Sequence, residues 1–323
     1  MDNYYIGVDL GGTNIRACLA TEEGKILKRA EQKTLAVEGP GRVIPRIFQT
    51  IRQVMADSTP PRAIGLDSPG PLDPWKGIII ETPNLPGWHN VPLKDLLQKE
   101  FGIPSFVNND ANVAALAEHR YGAGRAVRNL IYLTISTGIG GGIIIDGKVF
   151  VGAKGNGGEV GHQILDPNGP PCNSGHPGDL EGFAAGPGIA RHAREELAKG
   201  RESKIRELVQ GDVSRVSAVH VVEAAKEGDE FAREEIERAG FYIGLGLVNL
   251  LHMFDTELFV LGGGVIFGAG EMLFAPIRAT FDKYAFKSMK QGVLIVPAAL
   301  GEDVALLGSV ALAVDETRTS GQA

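Results

Sequence analysis

Residues 5–20 read YIGVDLGGTNIRACLA: an apolar strand, a Gly-Gly turn, then a second apolar strand. Strand-type residues on both sides of a glycine turn are the signature of a β-hairpin. About 126 positions later, residues 131–147 (IYLTISTGIGGGIIIDG) repeat the same grammar. A repeat at that distance is too long for a solenoid array and points to two related lobes.

Working outward, strands alternate with helical patterns, which makes the chain α/β. Val43, Ile44, Ile47, Ile51, Val54 and Met55 form one stripe of a helix near 40–57, with Pro45 in its first turn. A strand is expected at 63–67 and another at 105–107. The latter leads into NNDANVAALAEHRYG, where Asn109 or Asp110 caps a helix running to about Tyr121 and ended by Gly122. Residues 152–188, dense in Gly and Pro, read as loop. Helices are expected from Gly188 to Lys199 and from Glu230 to Phe254. A buried strand Glu257–Leu261 then stops at Gly262-Gly263-Gly264. Helix 270–284, strand 292–296 and a last helix at about 302–315 follow, with the tail from Thr317 frayed.

The 323 residues suggest about two domains, expected as 1–118 plus 303–323 and as 119–302. Glycine is 44 of them, roughly twice its usual share, and without a triplet period it marks tight turns and close backbone approaches. A net charge of −7 and no long basic run exclude an extended nucleic-acid footprint. Two cysteines, Cys18 and Cys172, make no disulfide framework and suit a reducing cytoplasm. A strand begins at once near the N-terminus, leaving no signal peptide. The apolar helical stretch Phe241–Phe254 is too short to span a bilayer, so no membrane partner is expected.

The chemistry-bearing segments lie at the turns. In DLGGTN (9–14), Gly11 and Gly12 expose backbone N–H groups to an anion and Thr13 adds a hydroxyl. Asp9, at a strand end, suits hydrated Mg²⁺. STGIGGG (136–142) repeats the arrangement with Thr137 and Gly138. The segment Gly142–Lys148 fits GxxxxGK, but Val149 replaces the Ser/Thr and its interior is a strand, so it is a hairpin closed by Asp146-Gly147 and not a P-loop. No GxGxxG opens a helix after a strand. NNDAN (108–112) puts Asp110 at a helix start, where a carboxylate serves as a cap or as a proton acceptor; spacing alone assigns neither. Glu159, His162 and Glu181 lie in glycine-rich loop, and convergent acceptors of that kind, with the Asn84 amide, suit a polyhydroxyl ligand.

Taken in order, DLGGTN, SPGP, TPNLPGW, NNDAN, STGIGGG, GGEVGH, the CxSGxxGDLE stretch and LGGGV resemble the ROK family of bacterial sugar kinases and repressors across essentially the whole chain. The resemblance implies a two-lobed actin/hexokinase-like (ribonuclease H-like) α/β fold with ATP and sugar in a cleft. It implies ATP-dependent phosphorylation of a hexose 6-hydroxyl, with glucose as the expected sugar and mannose, fructose, allose and N-acetylhexosamines as alternatives. Asp110 is then the general base, and Asn84, Asn109, Asp110, Glu159, His162 and Glu181 hold the sugar. Asp9, Gly11, Gly12, Thr13, Asn14, Thr137, Gly138, Gly262, Gly263 and Gly264 are the nucleotide-side positions, Asp9 reaching Mg²⁺ through water. The family likeness also implies a homodimer, with 186–254 as its interface.

One departure concerns the family's zinc motif, a His followed by CxCGxxGCxE. Here His162 is followed by Cys172, Ser174 and Asp179, so one of three thiolates survives and structural zinc is expected to be absent. The alternative is a remade site from His162, Cys172, His176 and Asp179. Two rivals to a kinase are a sugar-responsive repressor and a filament-forming actin-like ATPase. The first carries a helix-turn-helix domain ahead of DLGGT, where this sequence has eight residues before Asp9. The second has no use for the polyol-directed NNDAN and GGEVGH segments.

Overall fold

The computed structural model describes residues 3–55, 60–82 and 84–320, the side chain of Ser320 excepted. In chain order its main elements are β1 (Tyr4–Leu10), β2 (Asn14–Thr21), β3 (Ile26–Lys33), α1 (Pro40–Val54), β4 (Ile64–Ser68), β5 (Leu72–Asp73), β6 (Ile78–Ile79), β7 (Val91–Pro92), α2 (Leu93–Phe101), β8 (Ser105–Asn109) and α3 (Asp110–Arg120). There follow β9 (Leu130–Ile135), β10 (Ile139–Ile145), β11 (Lys148–Val149), α4 (Leu180–Ala184), α5 (Gly186–Ala198), α6 (Ile205–Leu208), α7 (Ala218–Lys226) and α8 (Glu230–Phe254). The chain ends with β12 (Leu258–Gly262), α9 (Gly264–Ala269), α10 (Glu271–Tyr284), β13 (Leu294–Pro297) and α11 (Val304–Ser320).

Two sheets repeat one strand order. The first runs β3-β2-β1-β4-β8 and the second β11-β10-β9-β12-β13, so each is a three-strand meander extended by two later strands. In both, the later strands pair in parallel: β1 with β4 and β4 with β8, β9 with β12 and β12 with β13. This is the duplicated grammar of residues 5–20 and 131–147 expressed as topology.

Two compact units divide the chain: Met1–Arg128 with Gly142–Gly158 and Ala299–Ala323, and Asn129–Gly141 with Glu159–Ala298. Compared with the division expected at 118 and 303, the first unit also takes 119–128, 142–158 and 299–302. The buried carboxylate of Glu118 explains much of this: its oxygens accept from the N–H groups of Ala123, Ala299 and Leu300, fastening both segments to α3.

In the first unit the core lies between the sheet and α1 and α2, around Ile6, Val8, Ile47, Ile51, Leu66 and Trp88. On the other sheet face α11, rich in small residues, sits directly on backbone. A Cβ on Gly7 would fall 2.4 Å from the Leu306 carbonyl oxygen, and one on Gly65 would fall 1.8 Å from that of Ser309. Only glycine permits that approach. In the second unit, α8 packs along α10, and Phe259 of β12 meets Phe281 edge-on at 5.9 Å between ring centroids.

Several expectations shift by a turn. Helix α1 ends at Val54, and residues 56 and 57 of the expected span lie outside the described residues. Pro40 takes the first helical position, so Pro45 sits in the second turn, on the exposed face, where the carbonyl deprived of its donor is that of the exposed Gly41. The region 152–188 is irregular only to Asp179, whose carboxylate accepts from Gly182 N at 2.7 Å and starts α4; α5 follows from Gly186, not Gly188. Thr317–Ser320 is helical, not frayed, because Arg318 pairs with Glu22 and the Thr317 hydroxyl donates to the Ala313 carbonyl; 321–323 lie outside the described residues. Among the described residues, no helix is long and apolar enough to cross a membrane.

The glycine contacts are testable. Gly65→Ala forces a methyl into the Ser309 carbonyl and is expected to lower unfolding free energy by about 1–3 kcal/mol or more in urea titration. Gly41→Ala, on the exposed start of α1 with nothing within 4 Å, is expected to be neutral or slightly stabilising. Equal stability of the two variants would contradict the close approach.

Candidate active site

In the first unit, parallel register aligns acidic and amide groups at the carboxyl ends of adjacent strands. Asp9 of β1 pairs with Asp67 of β4, Asp67 with Asn108 of β8, and Ser68 with Asn109. Ligands of open α/β sheets bind at such strand ends. The antiparallel hairpin places Arg16 opposite Asp9, and its Nε donates to Asp9 Oδ2 at 2.7 Å. Asp67 is 1% exposed, and the Ser309 hydroxyl donates to its Oδ2 at 3.3 Å. Burial, with the negative charges of Asp9 and Asp110, holds the Asp67 carboxyl well above the usual carboxylate range.

The Gly11–Asn14 turn is closed by Gly11 N donating to the Asn14 carbonyl at 3.0 Å. Thr34 braces it, its N donating to the Thr13 carbonyl and its hydroxyl to that of Gly11. Thr13, at the tip of this turn, is exposed. Asn84 lies beside this turn, its carbonyl 3.0 Å from where a Gly12 Cβ would be. The Asn14 amide oxygen instead accepts from Lys33 Nζ at 2.8 Å.

The helix start shows which residue of NNDAN is the cap. Asn109 is the cap of α3, accepting from Ala111 N at 2.9 Å, while the Asn108 side chain accepts from Asn109 N and from the Asn112 amide. Asp110 is therefore the first helical residue and is exposed, with Oδ1 accepting from the same Ala111 N at 2.8 Å. The positive end of α3 favours its ionised form.

In the second unit, Ser136-Thr137-Gly138 turns between β9 and β10. Ser136 N donates to the Gly138 carbonyl at 2.9 Å, Gly186 N to the Ser136 carbonyl at 2.8 Å, and the Asn173 amide to the Thr137 carbonyl at 3.0 Å. Glu181 Oε2 accepts from Ile139 N at 2.9 Å, so one of its oxygens holds this turn. Gly263, at φ +95°, packs so close to β9 that a Cβ would sit 2.3 Å from the Ile135 carbonyl; a side chain there is excluded twice over. Glu159 is exposed. His162 Nδ1 donates to the fully buried Asp179 at 2.8 Å. Burial works against the charged imidazole, but that bond and the Glu181 and Asp179 charges raise it above its ordinary range.

Beside the turn lies a cavity of about 560 Å³, within the usual size for a small-ligand pocket. Thr137 and Gly264 line it, Val216, Val219, Val222 and Val265 give it apolar walls, and Glu223 and Lys226 of α7 add charge. Thr137 and Gly264, expected on the nucleotide side, line this cavity, while its α5 and α7 residues have no local motif in the sequence. Sequence reading missed Asp67 and Arg16. The signal for Asp67 was present, since IGLDSPGP is an apolar strand ending in a carboxylate before a turn, as in DLGG.

The sequence pattern of the ROK family matches residues 5–316. A glucokinase from Thermotoga maritima is 40% identical over 307 residues, 95% of this chain and 96% of that protein. The crystal structure of a ROK hexokinase from Thermus thermophilus matches with a TM-score of 0.82 and 34% identity over 98% of this chain and 99% of that one. A ROK glucokinase from Streptomyces griseus, solved with glucose and AMPPNP, matches with a TM-score of 0.79 and 32% identity over 97% and 100% of the two chains. The fold is thus the actin/hexokinase-like α/β fold of those kinases. Matched over nearly its full length in both sequence and backbone, the chain belongs to the ROK family.

Proposed function

We propose that this protein transfers the γ-phosphoryl group of MgATP to the 6-hydroxyl of a hexose, with glucose as the substrate. The observation that carries the reading is the division of labour at the start of α3. Asn109 caps the helix, and Asp110 is left as an exposed carboxylate at its positive end. An ionised carboxylate there accepts the hydroxyl proton and aims the oxygen lone pair.

The other parts follow from phosphoryl-transfer chemistry, where positioning and charge stabilisation dominate. In the first unit, the Gly12 and Thr13 N–H groups donate to phosphate oxygens, and Asp9, fixed by Arg16, holds the water shell of the Mg²⁺ that enters with the nucleotide. In the second unit, the Thr137-Gly138 turn supplies the matching donors, and the valine-lined cavity takes the base and ribose. In the first unit Asn84 and Asn109, and in the second unit Glu159, His162 and Glu181, are the groups offered to sugar hydroxyls, Glu181 through the oxygen that does not brace Ile139.

Asp110→Asn is expected to fold normally and keep its KM for glucose while kcat falls by about 10²–10⁴, the usual loss with a general base. Steady-state ADP release measures this, and near-normal turnover would remove Asp110 from the mechanism. Ala218→Phe narrows the cavity at the start of α7. It is expected to raise KM for ATP by about tenfold or more, roughly 1.4 kcal/mol, without changing glucose binding. An unchanged KM for ATP would place the nucleotide elsewhere.

A further inference from the structure

The first turns of α3, which opens with Asp110, are met by bare backbone at two places. Gly142 of β10 is one. A Cβ there would fall 2.5 Å from the Ala111 carbonyl oxygen, 2.6 Å from the Ala115 Cβ and 3.0 Å from the Asn112 Cα. Gly308 of α11 is the other, where a Cβ would fall 2.1 Å from the Val113 carbonyl oxygen. Val113 stands two residues, about 200°, round the helix from Ala111, so the two glycines press on different faces. Ala111 is the residue through which that pressure reaches the carboxylate. Its N–H donates to Asn109 Oδ1 at 2.9 Å and to Asp110 Oδ1 at 2.8 Å, while its carbonyl oxygen is the atom nearest Gly142. Moving Ala111 therefore moves the donor shared by the cap and by Asp110. The other end of α3 is fixed by Glu118, whose oxygens hold the N–H groups of Ala123, Ala299 and Leu300, so the helix has no free end by which to slide away.

We infer that Gly142 and Gly308 are positioning residues for Asp110, their missing side chains setting where the start of α3 stands and hence where the carboxylate is presented. This rests on the reading of Asp110 as the base. It also separates two uses of glycine within STGIGGG. Gly138 belongs to the turn before β10, whereas Gly142, four residues on and already in the first unit, is required by the helix it touches. The size of the effect follows from the geometry. Opening the Gly142 contact from 2.5 Å to the 3.4 Å where ordinary packing begins is a shift of 0.9 Å. A misplacement of about 1 Å in a reacting group costs up to ~10² in rate.

The test assays Gly142→Ala and Gly308→Ala by glucose-dependent ADP release, each well below its own Tm. Gly240→Ala serves beside them, since its added Cβ would lie 2.5 Å from Pro276 Cγ, between α8 and α10 in the second unit. In the first two, kcat is expected to fall by about 10–100-fold with KM for ATP unchanged within about twofold. Gly240→Ala is expected to lose comparable thermal stability and keep kcat within about twofold. Adding Ala115→Gly to Gly142→Ala gives the new methyl room and should recover kcat by about threefold or more while Tm falls further, because glycine weakens a helix interior. Loss of stability alone does not produce that split. Turnover in Gly142→Ala and Gly308→Ala that matches Gly240→Ala, or no recovery in the double variant, would overturn the inference. Asp110→Asn in the same assay keeps it apart from the reading beneath it. If Asp110→Asn is silent while the glycine variants stay active, the glycine assignment alone fails; normal turnover of Asp110→Asn removes the base and this inference together.

Discussion

A helix resting on bare backbone sets the geometry of the first unit. Because Gly7 and Gly65 carry no side chains, α11 lies against β1 and β4, and the Ser309 hydroxyl reaches both the Val8 carbonyl and Asp67. The three parallel strands are thereby held in a register that brings Asp9, Asp67 and the Asn108–Asp110 corner to one edge. Any side chain at position 65 would lift the helix and loosen that edge.

That edge concentrates carboxylates, and its electrostatics assign different states to them. Asp67 is sealed from water, and burial with the charges of Asp9 and Asp110 raises its carboxyl well above the usual range. Asp9 is paired with Arg16, and Asp110 sits exposed at a helix start. Three like residues within one sheet edge thus sit in three environments: buried, ion-paired and exposed. Environment, not residue type, makes the distinction. In the second unit the same economy appears at Glu181, whose carboxylate fixes the turn that presents Thr137 and Gly138.

Legibility in the sequence followed the range of the interaction. Strand–glycine–strand hairpins are local, so the two turns, Asp9 and the Asp110 corner could be read directly, and the resemblance to a family supplied the order of the motifs. The long helix Glu230–Phe254 was legible to the residue because its pattern and its Asp229 cap are both local. What escaped depends on distant partners. Asp67 gains its meaning only from the parallel pairing of β4 with β1. The α7 wall of the cavity requires α5, α7 and α9 to converge. The C-terminal end of α11 is extended by Glu22, nearly three hundred residues away in the chain.

The central claim is phosphoryl transfer to a sugar, and following the phosphorus atoms tests it directly. With purified protein, ATP, Mg²⁺ and glucose, ³¹P NMR should show ADP and a hexose 6-phosphate monoester accumulating in equal amounts, with ATP stable when sugar is omitted. Inorganic phosphate appearing at the same rate with and without sugar, or ATP left intact in the presence of every hexose tried, would contradict the account.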